Sequence, residues 1–96
     1  MKRDALAIKS DDNVATALRD LRSGETVTVG IDEQVVTVVM VDDVTFGHKL
    51  AISAIDAGQS IIKYGEIIGR ATLPIPAGGH AHVQNIESLR GRGDLE

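Results

Sequence analysis

Three histidines are the first side chains in this sequence that could do chemistry. His48 follows Phe46-Gly47, and His80 and His82 are separated only by Ala81. On an extended strand, residues i and i+2 point to one face, so His80 and His82 can present two imidazoles to a single cation or anion. An H-x-H pair is a weak signal alone, because surface histidines on a half-exposed strand look the same. Lys49 beside His48, and Lys63-Tyr64 before Gly65, add two amines and a phenol to the same half of the chain. Acid–base transfer and stabilisation of a developing oxyanion draw on such groups, although a solvated lysine and a half-buried tyrosine are their commoner roles. The absence of cysteine excludes disulfides, thiolate metal sites and cysteine nucleophiles. No G-x-G-x-x-G or phosphate-loop pattern accompanies the glycines, so nucleotide cradling is unsupported. The acids Asp42-Asp43 read as solubilising residues, and Arg92-Gly93-Asp94 is too short a match to imply adhesion.

Composition narrows the partners. Ten basic against fourteen acidic residues leave a net charge of −4, with no basic stripe for a phosphate backbone. Phe46 and Tyr64 are the only aromatics, too few for a base-stacking platform, so nucleic acid is excluded as a partner. Residues 1–48 hold nine acids and five bases, whereas residues 49–96 hold five of each. An anionic ligand is therefore expected to meet the second half. The longest apolar run, Val35 to Val41, is far short of a membrane span, and Asp4 interrupts any signal peptide behind Lys2-Arg3. No membrane contact and a cytoplasmic location are expected.

The elements that must hold these groups are short. Ninety-six residues with 43% apolar content suit one domain with a Val, Ile, Leu and Ala core. Leu6-Ala7-Ile8 reads as a strand leading to the capping cluster Ser10-Asp11-Asp12-Asn13. The spacing of Val14, Ala17, Leu18 and Leu21 then predicts one short helix over 13–22, stopped at Gly24. Thr26–Val29 and Val35–Val41 form a hairpin around a turn at 30–34, and Phe46–Ile52, Ser60–Tyr64, Ile67–Ala71 and His80–Val83 are further strands. The fold class is thus mainly β with one short helix (α+β). The expected core comprises Val27, Val29, Val36, Val38, Leu50, Ile52, Ile62, Ile68 and Val83, with the helix packed on it through Val14, Leu18 and Leu21. Three segments share one turn pattern: Leu21-Arg22-Ser23-Gly24, Ile55-Asp56-Ala57-Gly58 and Ile75-Pro76-Ala77-Gly78. Each buries an aliphatic, turns at glycine and begins a strand, and the last two put His82 where its sister has Ile62. Residues 1–88 read as a single domain and 89–96 as a flexible tail or the start of a linker.

Phe46-Gly47-His48-Lys49, Ile55-Asp56-Ala57-Gly58, Ile62-Lys63-Tyr64-Gly65, Ile68-Gly69, Ile75-Pro76-Ala77-Gly78 and His80-Ala81-His82-Val83-Gln84-Asn85, with Asn13-Val14-Ala15 before them, resemble the small N-terminal domain of altronate and galactarate dehydratases. The resemblance runs from about Asp11 through Asn85. It implies a SAF-type domain of β-clip fold, acting as small subunit or N-terminal domain of a metal-dependent hydro-lyase that eliminates water from a polyhydroxy carboxylate. It further implies a large dehydratase subunit or domain as partner, a sugar-acid substrate, and a divalent metal, Fe2+ or Mn2+, in the complete enzyme. The chain alone would then be inactive, and self-association into a homo-oligomer is an open option. Carried onto this sequence, the catalytic residues are His48, Lys49 and His82; Lys63, Tyr64 and Asn85 would bind substrate; His80 and His82 would hold metal. Gln84 stands where the family often has another imidazole, so that metal set rests on two ligands. The small subunit of a sulfolactate sulfo-lyase resembles the same module, and a non-catalytic SAF module binding a carbohydrate acid or a partner protein is the alternative outside enzymes.

Overall fold

Strand-forming β-branched runs dominate the described residues, 3–88, of a structure that is a computed structural model; the tail expected over 89–96 lies outside them. The described residues form nine strands: β1 (Ala5–Ala7), β2 (Val14–Ala17), β3 (Thr26–Ile31), β4 (Gln34–Val39), β5 (Lys49–Ala51), β6 (Ser60–Lys63), β7 (Glu66–Ala71), β8 (His80–Ala81) and β9 (Ile86–Ser88). Six of them form a sheet in the order β4-β3-β1-β2-β5-β8, and the others a sheet ordered β6-β7-β9. The expected hairpin is β3–β4, with strand pairing carried out to Ile31 and Gln34, so its turn is tighter than 30–34. The strand β9 was not foreseen. No helix long and apolar enough to cross a membrane occurs among the described residues.

The helix expected over 13–22 does not form, which makes the described chain mainly β without an α component. Residues Val14–Ala17 are instead β2, hydrogen-bonded between β1 and β5. Ala15 and Ala17 face one core with Leu21, Val27, Val29, Met40, Val44 and Leu50, while Val14 faces a second core with Ala51, Ile55, Ile61, Ala71, Ile75 and Ala81. A strand buried on both faces loses the two-residue alternation that would mark it, and its apolar positions then mimic helical spacing. Leu18, expected inside, lies in a bend and is 44% exposed. Val83 is 81% exposed, so it is no core residue either. Ile62 is half-buried, and Val36, Ile52 and Ile68 pack at the edges of the two cores.

The turn pattern is present in four copies, the fourth being Val44-Thr45-Phe46-Gly47. In each, the amide after the glycine donates to the carbonyl three residues back: Glu25 to Arg22, His48 to Thr45, Gln59 to Asp56 and Gly79 to Pro76. Gly24, Gly47, Gly58 and Gly78 all have φ between +83° and +91°, the conformation a type II turn needs at that position. The copies are joined in reciprocal pairs. Leu21 bridges Val44 and Ile55 bridges Ile75. Gly24 donates to Met40 O and Gly47 to Ala17 O, while Gly58 donates to Ala71 O and Gly78 to Ala51 O. Because Phe46 and Gly47 are spent on the turn, the strand expected from Phe46 starts at Lys49, and His48 stands at its exit.

Candidate functional site

The pairing of β5 with β8 builds the site. Lys49 is opposite Ala81 and Leu50 opposite His80, an antiparallel register that continues outward to bring His48 beside His82. The three imidazoles, His48 lying more than thirty residues before His80 and His82 in the sequence, stack on one another. Ring centroids are 4.3 Å apart for His48 and His82, 5.3 Å for His48 and His80, and 5.5 Å for His80 and His82. His48 Nδ1 lies 3.0 Å from His80 Nε2. All three rings are partly buried. Burial, followed by the neighbouring imidazoles and Lys49, holds His80 and His82 below the ordinary histidine range, with Asp42 opposing this at His80. Both rings are therefore kept neutral near pH 7, the form that donates a lone pair.

Short polar side chains fix the backbone under these rings. Asp42 Oδ2 accepts from His80 N at 2.9 Å. Asn85 Oδ1 accepts from His82 N at 3.0 Å, and Asn85 Nδ2 donates to His80 O at 2.8 Å. The Asn85 side chain thus holds the H-x-H segment in shape. Gln84 Nε2 approaches His80 Nδ1 at 3.1 Å.

A second group of polar side chains adjoins the first. Lys49, on β5, is paired in register with Thr16 of β2, and Thr16 Oγ1 is 3.2 Å from the Tyr64 hydroxyl. The Lys63 ammonium lies 5.0 Å from the Tyr64 ring centroid. Burial pushes the Lys49 amine down from its ordinary value, and the positive charge of Lys63 adds to this. Among the described residues, no ion pair joins either lysine to a carboxylate. An open cleft of about 180 Å³, lined by Lys49, Ile68, His82, Val83, Ile86 and Ser88, lies alongside.

Lys63 and Tyr64 owe their placement to the Tyr64-Gly65 hairpin turn, in which both residues have positive φ, +55° and +79°. That pair of dihedrals suits the twist of a two-residue hairpin. Asp12 holds the turn: its Oδ1 accepts from Gly65 N at 2.7 Å, and its Oδ2 accepts from Ile8 N and Lys9 N at 3.0 and 3.1 Å. Next to it, Asn13 accepts from Ile62 N and donates to Ser60 O, tying β6 to the larger sheet. Asp12 and Asn13 were expected as helix caps. The property that suggested a cap, a short side chain able to accept backbone N–H bonds, is used here on two loops.

The structure thus brings His48, Lys49 and His82 together, with His80 in the same stack, Lys63 and Tyr64 on the adjoining sheet, and Asn85 beneath. Asp12, Asp42 and Gln84 contribute beyond the residues that the sequence singles out, Asp42 through the His80 amide and not as a mere solubilising acid. One ligand nitrogen from each of His48, His80 and His82 lies within 4.8 Å of the others. Three imidazole nitrogens suit a borderline divalent ion such as Fe2+, Co2+, Ni2+ or Zn2+, fit Mn2+ less well, and suit oxygen-seeking Mg2+ or Ca2+ poorly. The donor set therefore fits a transition cation, with His48 as a member beyond the expected pair.

Comparison with known proteins gives a consistent picture. The family model described as altronate/galactarate dehydratase SAF domain matches residues 3–89. An altronate dehydratase of Escherichia coli (strain K12) is 46% identical over 80 residues, and one of Bacillus subtilis (strain 168) is 39% identical over 83. These alignments cover 83% and 86% of the chain but only 15% and 16% of the respective dehydratases. The (2R)-sulfolactate sulfo-lyase subunit alpha of Paracoccus pantotrophus is 42% identical over 48 residues, which is 50% of this chain and 72% of that subunit.

Proposed function

The chain belongs to the altronate/galactarate dehydratase SAF domain family, and on that premise we propose that it is the small subunit or first domain of a lyase that eliminates water from a polyhydroxy carboxylate. Its role is to bring cations and imidazoles to a site that a large catalytic domain completes. The observation that carries this reading is the pairing of two lysines that have no acidic partner among the described residues with a stack of partly buried imidazoles. The Lys63 ammonium attracts the carboxylate, and the Tyr64 hydroxyl orients it. With its ammonium form disfavoured by burial, Lys49 takes the proton beside the carboxylate, the most demanding proton in the reaction. The proton that Lys49 has taken passes to the departing hydroxyl, which His48 and His82 orient, so that it leaves as water. Held by His48, His80 and His82, a divalent cation would supply Lewis-acid polarisation of substrate oxygens.

A second reading is supported by the sulfo-lyase relative, most of whose alpha subunit aligns with this chain. The same proton is removed there, and sulfite departs in place of water. Titrating the chain with altronate, galactarate and (2R)-sulfolactate, followed by amide and side-chain NMR, tests both. Saturable shifts at His48, Lys49, Lys63 and Tyr64 are expected, strongest for the true substrate class. No shifts there with any of the three, or shifts confined to other faces, would overturn the proposal.

A further inference from the structure

We infer that Gln84 sets how tightly the imidazole stack holds a divalent transition cation, by deciding which ring nitrogen of His80 carries the proton. The inference rests on the stack as a cation site, and on no step of the elimination. Gln84 Nε2 is within hydrogen-bond distance of two atoms, His80 Nδ1 at 3.1 Å and His80 O at 3.2 Å. A carbonyl oxygen only accepts, so the bond to His80 O fixes the amide with its NH2 toward the ring. Facing a donor, His80 Nδ1 must accept. The neutral ring then carries its proton on Nε2, which lies 3.0 Å from His48 Nδ1 and donates to it.

The result is a run of hydrogen bonds from amide to imidazole to imidazole, and it occupies the lone pair of His48 Nδ1 while leaving none on His80 Nε2. These are the nitrogens that face each other inside the stack. A cation entering between them needs His80 in the other tautomer, with the proton on Nδ1 and an acceptor opposite it. Metal-ligating histidines usually have such an acceptor, a carboxylate or a carbonyl, on their second nitrogen. Gln84 supplies the reverse polarity unless its amide turns over, which gives up the bond to His80 O. The native amide therefore works against the cation, and a carboxylate in its place works for it.

The test uses the tag-free chain at pH 8, with Zn2+ alone as probe, in calorimetric titrations of the parent, Gln84→Glu and Gln84→Ala. Gln84 is exposed, so both variants should fold. Exchange of a ligand's outer partner changes metal affinity by roughly 10- to 100-fold, and Gln84→Glu should tighten Zn2+ by that factor. Gln84→Ala, which removes the opposing donor without adding charge, should bind at least as tightly as the parent. Imidazole 15N shifts provide a readout independent of metal: His80 in the metal-free parent should be protonated at Nε2 and in Gln84→Glu at Nδ1. A parent ring protonated at Nδ1, a weaker Gln84→Ala, or a Gln84→Glu affinity within twofold of the parent would each overturn the assignment. Absence of zinc binding in all three proteins would overturn the cation site as well, while leaving the carboxylate titration above to judge the proposed function separately.

Discussion

Replacing Asp12 with asparagine changes one atom type in a side chain that is only 6% exposed. The carboxylate accepts three backbone N–H bonds, from Ile8, Lys9 and Gly65. Hydrogen bonds to a charged group contribute about 1.5–3 kcal/mol each. Simple addition overstates the loss here, because Ile8, Lys9 and Gly65 are themselves exposed and their amides regain water once the carboxylate has gone. A cost of about 3 kcal/mol for Asp12→Ala follows from the lower end of that range with partial rehydration. Asparagine should rescue little, since its NH2 would stand against a backbone N–H where an oxygen stood. The pH dependence is distinctive. Burial raises the Asp12 pKa, but the amides of Ile8, Gly65, Lys9 and Tyr64 together outweigh it and leave the group below its ordinary 3.8. A carboxyl depressed by folding contributes stability in full above its unfolded pKa, and the contribution fades as pH falls through the folded value. Urea unfolding of the parent, Asp12→Asn and Asp12→Ala should therefore show a constant gap above about pH 5 that narrows steadily below pH 4. Asp12→Asn within about 0.5 kcal/mol of the parent at pH 7, or a gap as large at pH 3 as at pH 7, would refute the reasoning.

His48→Ala and His82→Ala should each leave unfolding free energy within about 1 kcal/mol of the parent. In the assembled lyase the same changes should lower turnover by roughly 10²-fold or more, checked by thermal melts and steady-state kinetics on one preparation. Leu18→Ala, at an exposed bend, should shift stability by under about 0.5 kcal/mol, whereas Leu21→Ala, fully buried in the first core, should cost about 2–5 kcal/mol by urea titration. Gly58→Ala and Gly78→Ala both force a left-handed alanine, at about 1–2 kcal/mol. Only at Gly78 would the new Cβ also collide with Val39 O, so denaturant midpoints should rank Gly78→Ala clearly below Gly58→Ala.

What the residues disclosed followed from how local their signals were. The β3–β4 hairpin was legible because Thr26, Thr28 and Thr37 alternate with buried Val27, Val29 and Val38 over paired strands. β2 was not, because both of its faces are covered and nothing within four residues says so. The glycine turns were recognisable in three copies; the fourth was hidden because Phe46, 64% exposed, looked like the start of a strand. The histidines and lysines were legible as chemistry, but their number at one place was not. H-x-H announces two rings, and only the register of β5 against β8 adds His48. Asp12, Asp42 and Gln84 act through backbone amides or a ring nitrogen brought from elsewhere in the chain or across a turn, a role that no spacing rule records.

The shortest strand among the described residues has a kinetic meaning. β8 comprises His80 and Ala81, at the edge of its sheet, and only two residue pairs join it to β5. Stability is distributed unevenly in folded chains, and brief openings begin where ladders are short and at an edge. An excursion that unzips these two pairs would carry His80 and His82 away from His48, lifting Ala81 from the second core while leaving the first intact. The stack is therefore a property of the closed ladder, and its rate of dispersal is set by an event smaller than unfolding. Anything that bridges the two strands, a cation on the three rings or a partner chain laid over them, adds RT ln(1 + [L]/Kd) to the closed form alone. Amide exchange at Ala81 and Lys49, the hydrogen-bonded pair of this ladder, would then slow with ligand concentration while exchange in β3 and β4 stayed unchanged, so that the edge of the sheet reports occupancy of the site.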